Sequence, residues 1–277
     1  MKKIYKTIIA GALILLGGCA TFAPNPTNLK IMSFNVRCGV CENEDNPNHW
    51  SKRKILAAKI LETQKPDIIS TQETEDYQAE DMAKATGFAY YGIGREEGET
   101  GERNAVLWNP NRFEALKTQT IWLNASFKKF EKGWDSAWVR TLTMIEFQDK
   151  NTKKIFWVFD AHLDNEGKVA RAQSAKIILD KVRERAPAPI ILMGDLNDVV
   201  NSESYNILAS KLKPISKYEK DDFTFNGFGK DMTKGKAIDH FFANFDAQPQ
   251  NFKIIQTSFD GLYPSDHFPI VADIKIK

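Results

Sequence analysis

A series of short apolar runs, each ending in a polar cluster, constrains this chain more than any other feature of its sequence. The clusters are Ser33-Phe34-Asn35-Val36-Arg37, Gln72-Glu73, His162, Gly194-Asp195-Leu196-Asn197, Ile238-Asp239-His240 and Ser265-Asp266-His267. A strand presents its terminal side chains at the rim of its sheet, so clusters at several strand ends converge on one pocket. Runs such as Ile190-Ile191-Leu192-Met193 are apolar at every position, the pattern of strands covered on both faces. A single open sheet with one wet face does not suit such runs.

Periodicity places the remaining elements. Apolar residues at Ile55, Leu56, Ile60 and Leu61 recur near helical spacing, and Pro66 closes a helix over 50–64. Further helices are predicted over 75–85, stopped by Gly87, over 166–185 with Val169, Ile177, Ile178 and Val182 as apolar members, and near 202–212. Strands are predicted at 29–36, 67–71, 105–108, 113–122, 138–147, 154–161, 190–193, 237–243, 252–258 and 270–276. A polar turn at Asp149-Lys150-Asn151 joins two of these as a hairpin. Hairpins mixed with helices, and buried strands throughout, predict an α/β sandwich in which helices cover packed sheets.

The N-terminus reads as a separate unit. Lys2, Lys3 and Lys6 precede an apolar run from Ile8 to Leu16, too short for a permanent membrane span and suited to a signal-peptide core. Leu16-Gly17-Gly18-Cys19 resembles a bacterial lipobox, which implies cleavage after residue 18 and acylation of Cys19. The predicted organisation is a signal peptide over 1–18, a lipidated tether over 19–28 containing Pro24 and Pro26, and one domain over 29–277. An acylated Cys19 anchors the protein to a membrane. Ala20, in place of Asp, directs it to the outer membrane or cell surface, facing the periplasm or exterior. Removing Lys2, Lys3 and Lys6 leaves 38 − 3 = 35 basic residues against 36 acidic, a mature charge of −1. That balance excludes a protein that grips nucleic acid by global charge and leaves nucleic acid as a substrate only. A monomer is expected.

Cys38 and Cys41 form a Cys-Gly-Val-Cys pair. No second cysteine pair completes a zinc site, and the following Asn and Pro residues do not suit a redox helix, so a local disulfide is the expected state. It stiffens the loop just after Asn35.

The polar clusters share one chemistry. Asn, Glu, Asp and His ligate hard cations and move protons without a Ser or Cys nucleophile, which points to metal-dependent hydrolysis of a phosphate ester. Taken in order, the motifs resemble the endonuclease/exonuclease/phosphatase superfamily, with its DNase I-like fold, over essentially all of Leu29 to Lys277. The resemblance implies an α/β four-layer α-β-β-α sandwich, two packed mixed β-sheets flanked by helices. It implies Mg²⁺, with Mn²⁺ as a substitute, held by Glu73 and Asp266 with Asn35 on metal or phosphate. Asp195 then orients or deprotonates the attacking water, and Asn197 donates to the phosphate. His267 binds phosphate or transfers a proton, with Asp239 fixing its tautomer. His162 contacts phosphate or protonates the leaving group.

The match is looser around His162. Asp160-Ala161-His162-Leu163-Asp164-Asn165 stands where many relatives carry Asn-Thr-His-x-Asp-His, so Ala161 and Asn165 depart from the pattern. Arg140, Arg103 and Asn104 fall in segments resembling the substrate-binding rim of secreted members. Trp134, Trp138, Phe223, Phe225 and Phe228 are candidates for an aromatic wall, with Arg171 and Asp164 as supporting residues. His49 and His240 are expected outside the site, since alternation turns His240 to the other face from Asp239. The substrate stays open between nucleic acid, a sugar or inositol phosphate and a phospholipid. The alternative to an enzyme is a catalytically silent envelope lipoprotein that uses the fold for ligand binding.

Overall fold

The computed structural model describes residues 25–277 apart from 231, 233 and 234. The predicted signal peptide, Cys19 and most of the tether lie outside the described residues. Among the described residues no helix is long and apolar enough to cross a membrane.

Twelve strands form two sheets of six. In chain order they are β1 (Thr27–Asn35), β2 (Ile68–Thr74), β3 (Ala89–Tyr91), β4 (Arg103–Trp108), β5 (Phe113–Trp122), β6 (Thr141–Asp149), β7 (Ile155–His162), β8 (Ile190–Asp195), β9 (Lys213–Pro214), β10 (Asp239–Ala243), β11 (Gln250–Ile254) and β12 (Ile270–Ile276). The helices are α1 (Trp50–Gln64), α2 (Asp76–Thr86), α3 (Lys168–Arg185) and α4 (Glu203–Ala209). One sheet runs β11-β12-β1-β2-β4-β3, the other β5-β6-β7-β8-β10-β9. Each is mixed, with one central parallel pair: β1 with β2 and β7 with β8.

Local chemistry sets the helix ends. His49 caps α1 by accepting the Ser51 N–H, and Lys65 closes it in the left-handed conformation just before Pro66. At α2 the Gln78 side chain accepts the Glu75 N–H at 3.0 Å, and Gly87 supplies the left-handed cap.

Three apolar layers follow from alternation along the strands. Leu29, Ile31, Ile68, Val106, Phe147, Val158, Ile191, Met193 and Phe241 meet between the sheets. Met32, Phe34 and Ile69 pack with Trp50, Ile60 and Leu61 of α1, and Phe159, Leu192 and Phe242 pack with Ile178 and Leu208 of α3 and α4. The result is the predicted four-layer sandwich. Burying one such side chain contributes about 1.5–3 kcal/mol, so the layers set register firmly. A one-residue slip turns each strand's apolar set onto the wrong layer.

The same parity places the polar clusters. On β1 the inward series Leu29, Ile31 continues as Ser33 and Asn35. On β7 Phe156 and Val158 continue as Asp160 and His162, on β8 Ile191 and Met193 lead to Asp195, and on β10 Asp239 precedes Phe241. The inter-sheet space is therefore apolar at one end and polar at the other. His240, of opposite parity, points to the helix side, where its Nε2 lies 2.9 Å from the Asp198 carbonyl.

Candidate active site

The strand ends meet in one cavity of about 650 Å³, lined by Glu73, His162, Asp195, Asn197, Asp266 and His267 together with Arg37, Arg95, Glu102, Trp138 and Arg140. Asp239 lies just behind it, bonded to His267. Glu73 needs a special device to reach the cavity, because parity turns Gln72 inward and Glu73 out. The pairing of β2 with β4 shifts register between Thr71 and Thr74, and Glu73 takes a φ of 55°. This bulge swings the carboxylate to the rim. Arg37 and Asn197 also hold positive φ values, of 58° and 49°. Such backbone strain persists where surrounding bonds over-determine it. Gln78 is one such tie: its Oε1 accepts the Gly39 N–H and its Nε2 donates to the Arg37 carbonyl, both at 3.0 Å. Gly194 is required for another reason. A Cβ there collides with the Ala161 carbonyl across the β7–β8 pair.

Asn35 bridges the two sheets. Its amide donates to Glu73 Oε1 and to Asp195 Oδ2, each at 3.0 Å, while its oxygen accepts the Arg37 N–H at 3.0 Å. The amide of Asn35 thus orients two carboxylates, while its oxygen, with one of two lone pairs engaged, faces Arg37. Glu73 and Asp266 share Arg37, at 3.5 and 3.8 Å. Burial works to raise the Glu73 carboxyl, but His267, Arg37 and the Asn35 bond outweigh it and hold it below the ordinary glutamate value. Two buried carboxylates spanned loosely by one guanidinium are a donor set that fits a hard divalent cation.

Asp195 Oδ1 accepts the Asn197 N–H at 2.8 Å. Burial and the neighbouring Asp239 push its carboxyl up to about 7, against the pull of His267. His267 lies with Nδ1 2.9 Å from Asp239 Oδ2 and Nε2 3.7 Å from Asp195 Oδ2. Burial disfavours its charge, yet Asp239 and Asp195 together raise it to about 10. It is an imidazolium caged by two carboxylates.

His162 is the opposite case. Arg140 Nη1 lies 3.0 Å from its Nδ1 and the Asn197 amide nitrogen 3.0 Å from its Nε2, so a donor faces each ring nitrogen. Burial and the Arg140 charge hold its pKa well below the ordinary histidine value. The neutral ring of His162 is thus held between Arg140 and Asn197, with Nε2 3.6 Å from Asp195 Oδ2. It is not a charged acid. Arg140 is itself fixed by Asp164 at 3.3 Å and Asn165 at 3.0 Å. Asp164 supports that arrangement by accepting the N–H groups of Ala137, Trp138, Glu166 and Gly167. Asn165, a departure from the usual motif, thus completes the Arg140 clamp.

The two rim candidates on β4 line a narrow recess beside the main cavity, with Glu73, Arg95, Glu102, Arg140 and His162, and each is tied by its own bonds. Asn104 is buried between the sheets and donates to the Thr141 carbonyl at 2.8 Å. Arg103, of opposite parity on β4, turns outward, where Asp76 of α2 and the Gly92 carbonyl hold it. The cavity takes Arg95 and Glu102 instead, joined at 2.8 Å. Arg171 is likewise absorbed, bonding Asp198 at 3.2 Å and the Asp164 carbonyl at 2.7 Å. Of the aromatic candidates, Trp138 and Phe225 line the cavity, whereas Phe223 packs on Phe268 and Phe228 over Arg53. Cys38 and Cys41 are joined as a disulfide, and the Cys38 N–H points at Glu73 Oε2 from 3.4 Å. Arg37, Arg95 and Glu102 are the site residues the motifs did not single out; Arg37 sat inside one of them.

Two mixed sheets packed under helices, with an acid–amide–imidazole cluster at one rim, define a DNase I-like α/β sandwich. The chain belongs to the Endonuclease/Exonuclease/phosphatase family, whose model matches residues 32–267. An endonuclease/exonuclease/phosphatase family protein from Bacteroides thetaiotaomicron superposes with a TM-score of 0.86 at 28% identity, covering 91% of this chain and 99% of that one. A mannosyl-6-phosphatase from the same organism gives 0.82 at 28% identity, over 89% of this chain and 99% of that one. An uncharacterized protein, L388, of Acanthamoeba polyphaga mimivirus is 26% identical over 88% of this chain and 98% of its own length. The family is one of hydrolases acting on phosphate esters.

Proposed function

We propose that this protein is a divalent-cation-dependent phosphoesterase that hydrolyses its substrate by in-line attack of water. The observation that carries the reading is the single cavity in which Glu73, Asp266, Asp195, Asn197, His162 and His267 meet. Glu73 and Asp266 would hold Mg²⁺, or Mn²⁺ in its place, with Asn35 orienting Glu73. When bound, the cation neutralises charge on the phosphoryl oxygens. Asp195, with its carboxyl raised to about 7, is poised to accept the proton of the attacking water near neutral pH. Asn197, the His267 imidazolium and the neutral His162 ring line the same space and would stabilise the charge that develops on phosphorus-bound oxygen. Asp239 keeps His267 charged and oriented. Arg140 keeps His162 neutral.

The test is release of inorganic phosphate or nicking of plasmid DNA with Mg²⁺, then with EDTA, for the wild type and Glu73→Gln. Activity that vanishes with EDTA and falls by at least ~10³ in the variant supports the reading, in line with removal of a principal charge-stabilising group. Full Mg²⁺-dependent activity in Glu73→Gln refutes it.

The N-terminal segment supports a second part of the proposal: the enzyme works at the cell envelope, held by acyl chains on Cys19. Labelled palmitate incorporated into wild type but not into Cys19→Ala, with the variant released from the membrane fraction, is the expected result. Retention of the variant in that fraction refutes the anchor.

A further inference from the structure

One corner of the cavity, at Arg95, Glu102 and Trp138, has a different chemistry. Trp138 is 51% exposed at the cavity lip, so core packing does not account for it. Its ring is backed by the Arg95 guanidinium, 5.5 Å from the centroid. Arg95 is buried and held from both sides: Glu102 accepts from it at 2.8 Å, and the Trp122 indole donates to its carbonyl at 3.0 Å. Burial drives the Glu102 carboxyl up to about 7 against the pull of Arg95. The corner is thus a rigid apolar face beside one strong donor and one strong acceptor. Arg95 and Glu102 also line a narrow recess shared with Glu73, Arg140 and His162, so the corner is continuous with the phosphate end.

Within the phosphoesterase reading, we propose that Trp138, Arg95 and Glu102 form a subsite for the hydroxylated ring of a monosaccharide, so that the substrate is a sugar phosphomonoester. A sugar ring has an apolar face that stacks on an indole and adjacent hydroxyls that both donate and accept. The Arg95–Glu102 pair meets both needs at once. The same corner disfavours a polynucleotide. Glu102 inside the cavity is joined on the adjacent loop by the exposed Glu96 and Glu97, a like-charged flank for a phosphate chain. The cavity's ~650 Å³ is of the size that encloses a small ligand rather than a strand. In turnover the oxygen of water bonds phosphorus and the bond from phosphorus to the sugar oxygen breaks. The proton taken from water ends on that oxygen, giving free sugar and inorganic phosphate.

The test uses the mature chain, its Trp138→Ala and Glu102→Gln variants, and three substrates: mannose 6-phosphate, glycerol 3-phosphate and single-stranded DNA. The wild type is expected to prefer the hexose phosphate. Each variant should lose about tenfold more kcat/KM on it than on glycerol 3-phosphate, mainly through KM, as loss of ring contacts requires. Equal losses on both phosphomonoesters, or turnover of DNA alone, overturn the subsite. A titration in EDTA, read by tryptophan fluorescence, separates this proposal from the catalytic one. Mannose 6-phosphate that binds wild type, binds Trp138→Ala more weakly and is never hydrolysed supports the subsite and refutes the phosphoesterase reading. Hydrolysis with no change of binding in either variant does the reverse.

Discussion

Replacing Arg140 by Met tests how the site sets the protonation of its two histidines. Arg140 Nη1 stands 3.0 Å from His162 Nδ1, with both side chains buried. Protonating His162 places two like charges roughly 4 Å apart, a repulsion of ~4 kcal/mol at an effective dielectric of about 20. Burial acts in the same direction, and together they hold the ring neutral. Arg140→Met removes the repulsion and the donor that faces Nδ1. The midpoint of His162 then rises, and kcat falls by about 10²–10³, as when one preorganised donor is lost. Nitrogen NMR of the imidazoles from about pH 5 to 9, assigned with His162→Gln, reads the midpoint directly. The pH–rate profile of Arg140→Met gains a further acidic limb beside the one that Asp195, raised to about 7, gives the wild type. Arg140→Lys separates charge from geometry: His162 stays neutral, while the bonds to Asp164 and Asn165 weaken. Should wild-type His162 titrate like an ordinary histidine, the argument fails, because the ring would then act as an imidazolium.

Four further outcomes are expected. His267, raised to about 10, lies above the unfolded value, so its pairing with Asp239 stabilises fully below about pH 6.5 and is lost as pH climbs towards 10. Melting temperature should fall across that window in the wild type and not in His267→Gln. Asp239→Ala, which strips the partner from a buried charge, should cost about 3–5 kcal/mol in urea unfolding. Asn104→Ala strands the Thr141 carbonyl, so it should cost about 1–3 kcal/mol in the same assay while KM holds; a raised KM would restore Asn104 to the substrate rim. Mn²⁺ at a hundred times its Kd should stabilise wild type by about 2.7 kcal/mol and Glu73→Gln by almost nothing, measured by thermal shift.

The elements with a strong period were legible. Helix α1 spans the 50–64 that its spacing predicts, because Trp50, Ile60 and Leu61 bury one face and Pro66 forbids extension. Its Ile55 is nevertheless 61% exposed, and Val169 on α3 is 50% exposed. A helical repeat names a stripe, and tertiary packing decides how wide the stripe is. β3 and β9 went unseen because two or three residues carry no alternation. The site was legible where residues end long strands, as Asn35, His162 and Asp195 do. Arg95 and Glu102 sit on a loop whose course no local pattern encodes, so spacing favoured Arg103 and Asn104. Parity along β4 separates the two: Asn104 shares a face with the core residues Val106 and Trp108, and Arg103 has the opposite parity, while both border the recess beside Glu73.

Parity also explains why the two sheets meet accurately where the chemistry occurs. Several bonds cross between them at the polar end, among them Asn35 to Asp195 at 3.0 Å, Gln72 to Asp160 at 2.7 Å, and Asn104 to the Thr141 carbonyl and Thr143 to the Asn104 carbonyl, both at 2.8 Å. An apolar interface alone tolerates small slides, since packing energy is non-directional. Hydrogen bonds between buried groups do not, because a lost partner leaves a desolvated donor or acceptor. Asp160 shows how far this is carried. It is fully buried, its Oδ2 has no partner, and burial raises its carboxyl well above the ordinary value, so it sits as the neutral acid. A neutral Asp160 fixes Gln72 without adding a further negative charge beneath Glu73, Asp195, Asp239 and Asp266. Gln72 precedes Glu73 at the β2 bulge, so the tie that aligns the sheets also sets where the bulge delivers its carboxylate. The polar layer therefore spends stability on registration: it holds the halves of the site, one from each sheet, at hydrogen-bonding distance.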